Sequence, residues 1–499
     1  MKAKELFNYI KVKNIKGALP DLHINKITQD TRELEVGDVF LCIEGSDFDG
    51  HLYAKDAVEK GAVVVVAQKE LTDDLGDTPI VYVNDTRKMM AILASAFYKH
   101  PSEELTVIGV TGTNGKTTVT YLIDAICKAV HKKTGLVGTI EMHIDDEVLP
   151  TINTTPDNVT MQRSMRRMVE KGVEVCSMEV SSHSLVQGRT WGIDMDVAVI
   201  TNLTHEHLDF HKTMEEYSLA KELLFTQLGN NWKNGKGKIA VLNKDDQTFE
   251  RYSCVTPAEV ISYSIKDASA DFFADQITFN QNGTHFNLAV AEKNYPVEIK
   301  LIGEYNVSNA LAALAAAYAS GISLEDASKE IGELQLVEGR LEPVSNTDGY
   351  SVYIDYAHSP DGLEKVLDAL QPITSGRVIN VMGCQGSRDK EKRPVMGRIA
   401  SDHADYVVYT TDSPEMEPQE EIIKMVLSDV RKDNYTYIED RREAIFHAVQ
   451  IAEPGDSVVI TGRGHETFYN VGKKPVMFLD REVAEEAVEY RNTLKQKTD

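Results

Sequence analysis

The 499-residue chain reads as an α/β protein of three blocks built on mostly parallel sheets. Three observations predict this. Short apolar runs rich in β-branched residues alternate with helical stretches, the pattern of parallel sheets covered by helices. One run, "LTVIGVTG", ends in a glycine turn and opens directly into a helix, as the first βα unit of a nucleotide-binding sheet does. Around "LQLVEGRLEPV" the alternation breaks, which marks a junction near residue 336. The blocks are therefore 1–103, 104–336 and 337–499.

In the first block, "GDVFLCIEG" reads as a strand, "HLYAKDAVEKGA" as a helix and "VVVVA" as the next strand. In the second, the run beginning at Leu105 is followed by a helix from Thr117 to Val130. Further strands are expected at "VEVCSMEV", "DVAVITNL", "KIAVLN" and "EVISYSI". "ITFNQNGTHFNLAV" is a hairpin with Asn282-Gly283 at its turn. An alanine-rich helix is expected from Asn306 to Ala319. The third block supplies "YSVYIDYA", "RVINVMG", "ADYVVYTT", "YTYIED" and "DSVVITG", with helices between them. The sequence shows no repeat of solenoid period and no low-complexity tract.

Composition narrows the partners. There are 53 Lys and Arg against 78 Asp and Glu, a formal charge of −25. Duplex nucleic acid and anionic lipid both need basic faces, so neither is expected as a main partner. The simplest use of so acidic a surface is solubility. The five cysteines are scattered, with no CxxC or Cys/His zinc spacing, which suits a reducing cytoplasm. The first twenty residues lack the apolar core of a signal peptide, and no apolar run approaches the length needed to cross a bilayer. A cytoplasmic location without membrane insertion is expected.

The stretch "GVTGTNGKTT" carries the first chemistry. Its glycines, Gly112 and Gly115, let backbone N–H groups approach phosphate oxygens, and the following helix N-terminus adds partial positive charge. Lys116 can reach the outer phosphates, and Thr117 can offer a hydroxyl to Mg2+. Five residues separate Gly109 from Gly115, one more than the usual P-loop spacing, so the loop is related to that motif rather than identical. Downstream, "SMEVSSHS" puts Glu179 at the end of a buried strand. "NLTHEHLDFH" follows another strand with His205, His207, Asp209 and His211. "YSLAKELLF" places Lys221 on the next helix. In parallel sheets the carboxyl ends of strands form the ligand crevice, so these groups are expected to face bound phosphate.

Ten stretches, in order, then resemble the Mur ligase family, the ATP-dependent amide-forming enzymes of peptidoglycan synthesis. They are "GVTGTNGKTT", "NTTPD", "MEVSSHSLVQGR", "NLTHEHLDFH", "YSLAKELLF", "GEYNVSNALAA", "VEGRLEP", "DYAHSPDGL", "GSRDKEKRPVMG" and "GRGHE". The nearest resemblance is to the branch that adds the third residue of the stem peptide. It implies an N-terminal domain that holds the UDP end of the substrate, a central P-loop ATPase and a C-terminal Rossmann-like domain that brings the amino acid. The substrates it implies are UDP-N-acetylmuramoyl-L-alanyl-D-glutamate, ATP and a diamino acid, and the family suggests a monomer. ATP would be bound by Gly112, Thr113, Asn114, Gly115, Lys116, Thr117, Thr118, Asn306, Arg340 and Asp355. Two Mg2+ ions would be held by Thr117, Glu179 and His207, together with Lys221 carbamylated by CO2. Lys116, Glu179, His207 and Lys221 would be the catalytic set. The nucleotide-sugar would be read by Thr31, Ser46, Asp47, Phe48, Asn153, Thr154, Thr155, Ser181, Gln187 and Arg189. Position 31 departs mildly from the family, with "DTR" in place of "DSR", and keeps a hydroxyl. His358 receives no role, and no base for the attacking ammonium is identified.

The amino-acid end is implied to involve Arg388, Asp412, Ser413, Pro414, Glu415, Gly462 and Glu466, with Arg388 on the α-carboxylate. Diaminopimelate-adding relatives resemble one another in "DNPR", whose arginine pairs with the distal carboxylate. Here "TTDSPEMEP" puts Glu415 in that place. A carboxylate there repels a distal carboxylate and attracts an ammonium. The expectation is a basic amino acid without a distal carboxylate: L-lysine first, then ornithine, with meso-diaminopimelate the alternative. The competing readings are another ligase of the superfamily, of the folate-adding or cyanophycin-synthetase type, or an ATP-dependent regulator without catalysis.

Overall fold

The computed structural model describes residues 1–496 except Ser46, Asp47, Gln281 and Thr347. The chain forms two compact units. One comprises Met1–Gly109, Lys132–Val197 and Gln227–Lys238; the other comprises Val110–His131, Ala198–Thr226 and Ile239–Asp499.

In the first unit, a five-stranded sheet has the order Asn14–Lys16, Ile80–Tyr82, Val64–Ala67, Val39–Leu41, Ile27–Thr28. Its first pairing is antiparallel and the other three are parallel. Every residue of Val64–Ala67 is buried, which explains why this strand reads as an unbroken apolar run rather than an alternating one. The helix Thr86–Phe97 begins where the Asp85 side chain accepts from the Lys88 N–H, an N-cap that satisfies one orphan donor. The same unit holds the parallel pair Thr134–Val137 and Val175–Glu179, with Cys176 opposite Gly135. Two antiparallel strands follow, Glu141–Ile144 and Glu147–Pro150. The sequence pattern gave no strand here. The hairpin turns at Asp145, whose φ is +58°, and of its eight strand residues only Met142 and Ile144 are buried, so no apolar run announces it.

In the second unit, the helix Lys116–Ala129 begins at Gly115. The strands Ile239–Asn243 and Glu259–Ser264 pair in parallel, and Phe272–Asn280 joins them in parallel. The hairpin Phe272–Asn280 with Gly283–Val290 forms as the sequence predicts, with Asn280 opposite Gly283, and is bulged between Asp275 and Thr278. A third strand, Lys293–Ile299, extends it. The alanine-rich helix starts two residues before its expected first turn, at Glu304, and runs to Ala319. It is buried nearly all round and packs on the helix Lys116–Ala129, the situation in which small alanines allow close approach.

The same unit carries a six-stranded sheet: Glu342–Val344, Ser351–Asp355, Ser457–Thr461, Val378–Met382, Tyr406–Tyr409, Tyr435–Tyr437. Only its first pairing is antiparallel. The chain runs outward from Val378 to Tyr437 and then returns to insert Ser457–Thr461 next to Ser351–Asp355. Strand order reverses there, and such a switch point opens a crevice at the carboxyl ends of the strands. A small antiparallel hairpin, Phe468–Val471 with Lys474–Met477, follows.

Candidate active site

The phosphate loop is shaped by contacts that only glycine permits. At Gly112, φ is +144°, and a Cβ would lie 1.8 Å from the Thr201 hydroxyl oxygen. At Gly115, φ is +88°, and a Cβ would lie 2.3 Å from Asn309 Oδ1. Side chains after the strand Val197–Ile200 brace the loop. Asn202 Oδ1 accepts from the Asn114 N–H at 3.0 Å, and the Thr201 hydroxyl donates to the Asn114 carbonyl at 2.6 Å. The Thr113 hydroxyl lies 3.1 Å from that of Tyr217. Lys116 is folded back, donating to the carbonyls of Gly112 and Thr113 at 3.0 and 2.7 Å. The helix starts at Gly115 without a side-chain cap, and a helix N-terminus carries partial positive charge that favours an anion.

A cavity of about 520 Å³ adjoins the loop, lined among others by Asn114, Gly115, Thr118, Asn309, Arg340 and Asp355. Arg340 Nη2 donates to the Thr117 hydroxyl at 3.3 Å, and its guanidinium stacks 4.9 Å from the Tyr356 ring centre. The buried Asp355 carboxylate accepts the Leu341 and Ala357 N–H groups, both at 2.7 Å, and so fixes the turn that carries Arg340. Burial pushes the Asp355 carboxyl up, against the pull of Arg340. Asn306 differs from its expected place. It does not line the cavity; it is buried, bonds the Ile302 carbonyl, and accepts from Asn309 Nδ2 at 3.0 Å. Asn309, three residues on along the helix, is the side chain that reaches the cavity, and sequence reasoning missed it.

Lys221 is buried to 1% exposure. Its Nζ donates to the Gly112 carbonyl at 2.7 Å and lies 4.6 Å from the Tyr217 ring centre. Burial first, and the Lys116 charge second, hold its amine well below the usual lysine range. His207 has a left-handed backbone, φ +56°. Its neighbour Glu206, also missed from sequence, pairs with His358 Nε2 at 3.0 Å, while His358 Nδ1 lies 2.8 Å from the Tyr356 carbonyl. Burial works to raise the Glu206 carboxyl, but His358, His207 and Lys116 together hold it far below the carboxylate range.

Glu179 belongs to the first unit, at the end of the strand Val175–Glu179. One carboxylate oxygen accepts the Thr139 N–H at 2.8 Å, the other the Thr139 hydroxyl at 3.1 Å. That hydroxyl lies 3.0 Å from the Thr154 hydroxyl. The Thr155 hydroxyl donates to the Glu179 carbonyl at 2.9 Å and accepts from the Ser181 N–H at 3.1 Å. Arg189 Nη1 donates to the Thr155 carbonyl at 2.9 Å, and Nε and Nη2 hold Gln187 Oε1. Six of the expected nucleotide-sugar residues, namely Asn153, Thr154, Thr155, Ser181, Gln187 and Arg189, thus fall on two adjacent chain segments, with Asn153 exposed. Phe48 is 59% exposed, and the Thr31 carbonyl accepts from Lys60. Ser46 and Asp47 lie outside the described residues. Arg87 links the two regions, donating to the Glu44 carbonyl at 2.8 Å and to that of Gln187 at 3.5 Å.

At the crevice of the six-stranded sheet, Arg388 Nη2 lies 3.9 Å from Glu415 Oε1. Glu415 has φ +50° and is tied by its N–H to the Asn470 carbonyl and by its own carbonyl to the Gly472 N–H. The Ser413 hydroxyl accepts from the Asn470 N–H, and the Pro414 carbonyl approaches so closely that a Cβ on Gly386 would lie 1.8 Å from it. Asp412 is 1% exposed, and its Oδ1 has no hydrogen-bond partner. Gly462, φ +113°, lets Asp412 approach, since a Cβ there would stand 2.9 Å from Oδ2. Between Asp412 and Glu466 sits the wholly buried Arg463, its Nη1 3.5 Å from each carboxylate and without a hydrogen bond. Burial and Asp412 push the Glu466 carboxyl up to about 7. Arg463 was not anticipated. Its only signal was a cation between two glycines in "GRGHE".

A glycine-shaped loop, a buried amine beside it and a crevice rich in carboxylates suit an ATP-dependent ligase that joins an acid to an amino acid. Comparison with known proteins agrees. Models of the Mur ligase middle domain, the Mur ligase glutamate ligase domain and the Mur ligase family catalytic domain match residues 110–317, 339–464 and 23–98. A UDP-N-acetylmuramoyl-L-alanyl-D-glutamate–2,6-diaminopimelate ligase of Lactiplantibacillus plantarum is 44% identical over 99% of this chain and 100% of its own. One of Bacillus cereus is 45% identical over 94% of each. A solved structure under the same enzyme name has 30% identity and a TM-score of 0.70, covering 98% of this chain and 99% of its own. A MurF structure from Acinetobacter baumannii, at 19% identity and TM-score 0.68 over 92% and 95%, shares the fold. The chain belongs to the Mur ligase family.

Proposed function

We propose that this ligase adds a diamino acid, as third residue of the stem peptide, to UDP-N-acetylmuramoyl-L-alanyl-D-glutamate in peptidoglycan synthesis. The substrate carboxylate oxygen attacks the γ-phosphorus of ATP, ADP leaves, and an acyl phosphate forms. The amine, having lost a proton, attacks the carbonyl carbon; the tetrahedral adduct collapses to the amide and inorganic phosphate. Every species is densely anionic, so the demand on the protein is positioning and charge neutralisation. Arg340 supplies a cation at the cavity and Lys116 one on the loop, and the helix start at Gly115 supplies N–H donors.

The metal assignment implied by the resemblance stays a proposal: Thr117, His207 and Lys221 in the second unit, Glu179 in the first. Mg2+ takes oxygen ligands by preference. Glu179 and Thr117 offer oxygen, whereas an unmodified Lys221 does not. Burial holds its amine below the usual lysine range, which favours the neutral form, and a neutral amine attacks CO2 to give a carbamate and one released proton. Within the second unit, Thr117 and a carbamylated Lys221 would offer Mg2+ the oxygen ligands it prefers, and the ion when present would neutralise phosphate charge.

The observation that carries the amino-acid end is Asp412 Oδ1, a buried carboxylate oxygen without a donor, beside Glu466. Arg463 faces its charge at 3.5 Å without a hydrogen bond, so an ammonium can supply the donor that this buried oxygen lacks. The names of the relatives support 2,6-diaminopimelate as that diamino acid. Glu415 favours a second reading, L-lysine and then ornithine, because it stands where the resemblance expects an arginine for the distal carboxylate. Turnover with radiolabelled diaminopimelate, lysine and ornithine separates the two. ADP release that requires none of them would defeat both.

The division into 1–103, 104–336 and 337–499 is retained as a proposal, supported by the three matched ranges. A monomer in the cytoplasm is proposed likewise. The family resemblance supports the monomer, and the five free cysteines suit a reducing compartment.

A further inference from the structure

Arg388 and Glu415 stand on loops that leave neighbouring parallel strands, Val378–Met382 and Tyr406–Tyr409. Their side chains are 56% and 24% exposed, and only a 3.9 Å contact joins them. What holds the loops together lies two residues beyond Glu415. Glu417 Oε1 accepts the Ser387 N–H at 2.6 Å, next to Arg388, and Arg393 Nη2 at 3.0 Å. Its Oε2 accepts Arg393 Nη1 at 2.9 Å and faces Lys390 at 3.1 Å. Arg393, in the first turn of the helix Lys392–His403, is wholly buried and also donates to the Gln385 carbonyl at 3.0 Å. The fork-on-fork pair fixes both distance and plane, as lysine could not. Ser387 is held at φ +54°, and the Gly386 N–H donates to the Ser413 carbonyl at 2.8 Å. The Glu417 carboxyl is held down to about 2, chiefly by Arg393.

We propose that Glu417 and Arg393 are positioning residues that set Arg388 against Glu415, and so fix where the carboxylate end of the incoming amino acid sits. The two glutamates of "SPEMEP" then divide the work: Glu417 builds the frame, and Glu415 faces the ligand. This rests on the reading of Arg388 as the holder of the α-carboxylate.

The test is steady-state kinetics of the full chain carrying E417A, E417Q or R388A, with each substrate varied in turn. E417A is expected to raise KM for the amino acid by about tenfold, with kcat and the KM values for ATP and nucleotide-sugar within about twofold. E417Q keeps one acceptor oxygen and the shape, so a smaller rise, about threefold, is expected, and it carries the test should E417A fail to fold. An R388A variant with unchanged amino-acid KM overturns the reading of Arg388. A raised KM in R388A with wild-type values in both Glu417 variants overturns the positioning role. Equal worsening of all constants in E417Q, with a lowered Tm, makes Glu417 merely structural and likewise overturns it.

Discussion

The amine of Lys221 lies 2.7 Å from the carbonyl oxygen of Gly112, so a buried lysine is hydrogen-bonded to the backbone of the phosphate loop itself. A charged ammonium in that position would be desolvated and repelled by Lys116, and both effects favour the neutral amine. A neutral amine is a nucleophile. Both effects suit the carbamylation that the resemblance of "YSLAKELLF" implies for Lys221.

Lys221 is expected to act as its carbamate. The K221R variant, which stays cationic, should lose roughly 10²–10³-fold in kcat, the scale of removing a group that stabilises transferring phosphate. Wild-type enzyme stripped of CO2 should lose activity and regain it with bicarbonate. Carbamate formation consumes neutral amine and releases a proton, so activity after stripping should recover more fully as pH rises. Full activity in CO2-free buffer would falsify the assignment.

Gly112 is the loop position least able to change. A Cβ there meets the Thr201 hydroxyl oxygen at 1.8 Å, on a backbone with φ +144°. The G112A variant should lose about 1–3 kcal/mol of stability and most of its ATP affinity. Thermal melts with and without ATP check both, and a wild-type ligand-induced shift in Tm contradicts the expectation.

How much of this was legible follows the range over which each signal acts. Gly112, Gly115 and Lys116 form a local pattern, because one strand, one turn and one helix start make the whole anion site. The strands at Val175 and Ser457 were legible because burial on both faces writes an apolar run. The hairpin Glu141–Pro150 was not, since only two of its eight strand residues are buried and its turn uses Asp145 rather than glycine. Asn306 came from the resemblance alone, and a motif match does not say which residue of a helix reaches the cavity, where the structure places Asn309. Arg463 and Arg393 were invisible as partners. Their carboxylates, Asp412 and Glu417, lie on other loops, and only the sheet brings them together.

Asn309 should matter to ATP directly and Asn306 through it. Asn309 lines the cavity and abuts Gly115, while Asn306 accepts its amide at 3.0 Å. The N309A variant is expected to raise KM for ATP by about tenfold, and N306A by less, with a larger loss of Tm because it vacates a buried hydrogen-bonded site. Equilibrium binding of an ATP analogue to the two variants reads the order directly, and the reverse order contradicts the geometry.

Glu466 is expected to make amino-acid binding depend on pH near neutrality. Burial and Asp412 raise its carboxyl to about 7 from an ordinary 4.5. An ammonium prefers the ionised form, so affinity for the amino acid should rise as pH goes from 6 to 8, and E466Q should flatten that rise. Stability runs the other way. A raised carboxyl contributes stability that is complete below its unfolded value and is lost as pH climbs through the folded one, so E466Q should lessen the fall in Tm between about pH 5 and 8. Calorimetry at several pH values checks both signs.

Glu415 offers a direct test of which diamino acid the crevice takes. Its carboxylate lies 3.9 Å from Arg388 and is only partly screened, with 24% of the side chain exposed. Two unit charges about 4 Å apart interact by roughly 4 kcal/mol at the dielectric of a protein surface, before screening reduces it. A distal carboxylate brought beside Glu415 is repelled on that scale, and one brought beside an arginine is attracted. The E415R variant should therefore shift the ratio of kcat/KM for diaminopimelate over lysine upward by at least about tenfold, whichever of the two the wild type prefers. The backbone at Glu415, φ +50°, is held by Asn470 and Gly472 through main-chain bonds alone, so the side chain can change without releasing the loop. The competing effect is repulsion between the new arginine and Arg388, which raises KM for every amino acid and leaves the ratio untouched. A ratio that does not move thus means that Glu415 faces solvent and that the distal end of the substrate is read elsewhere.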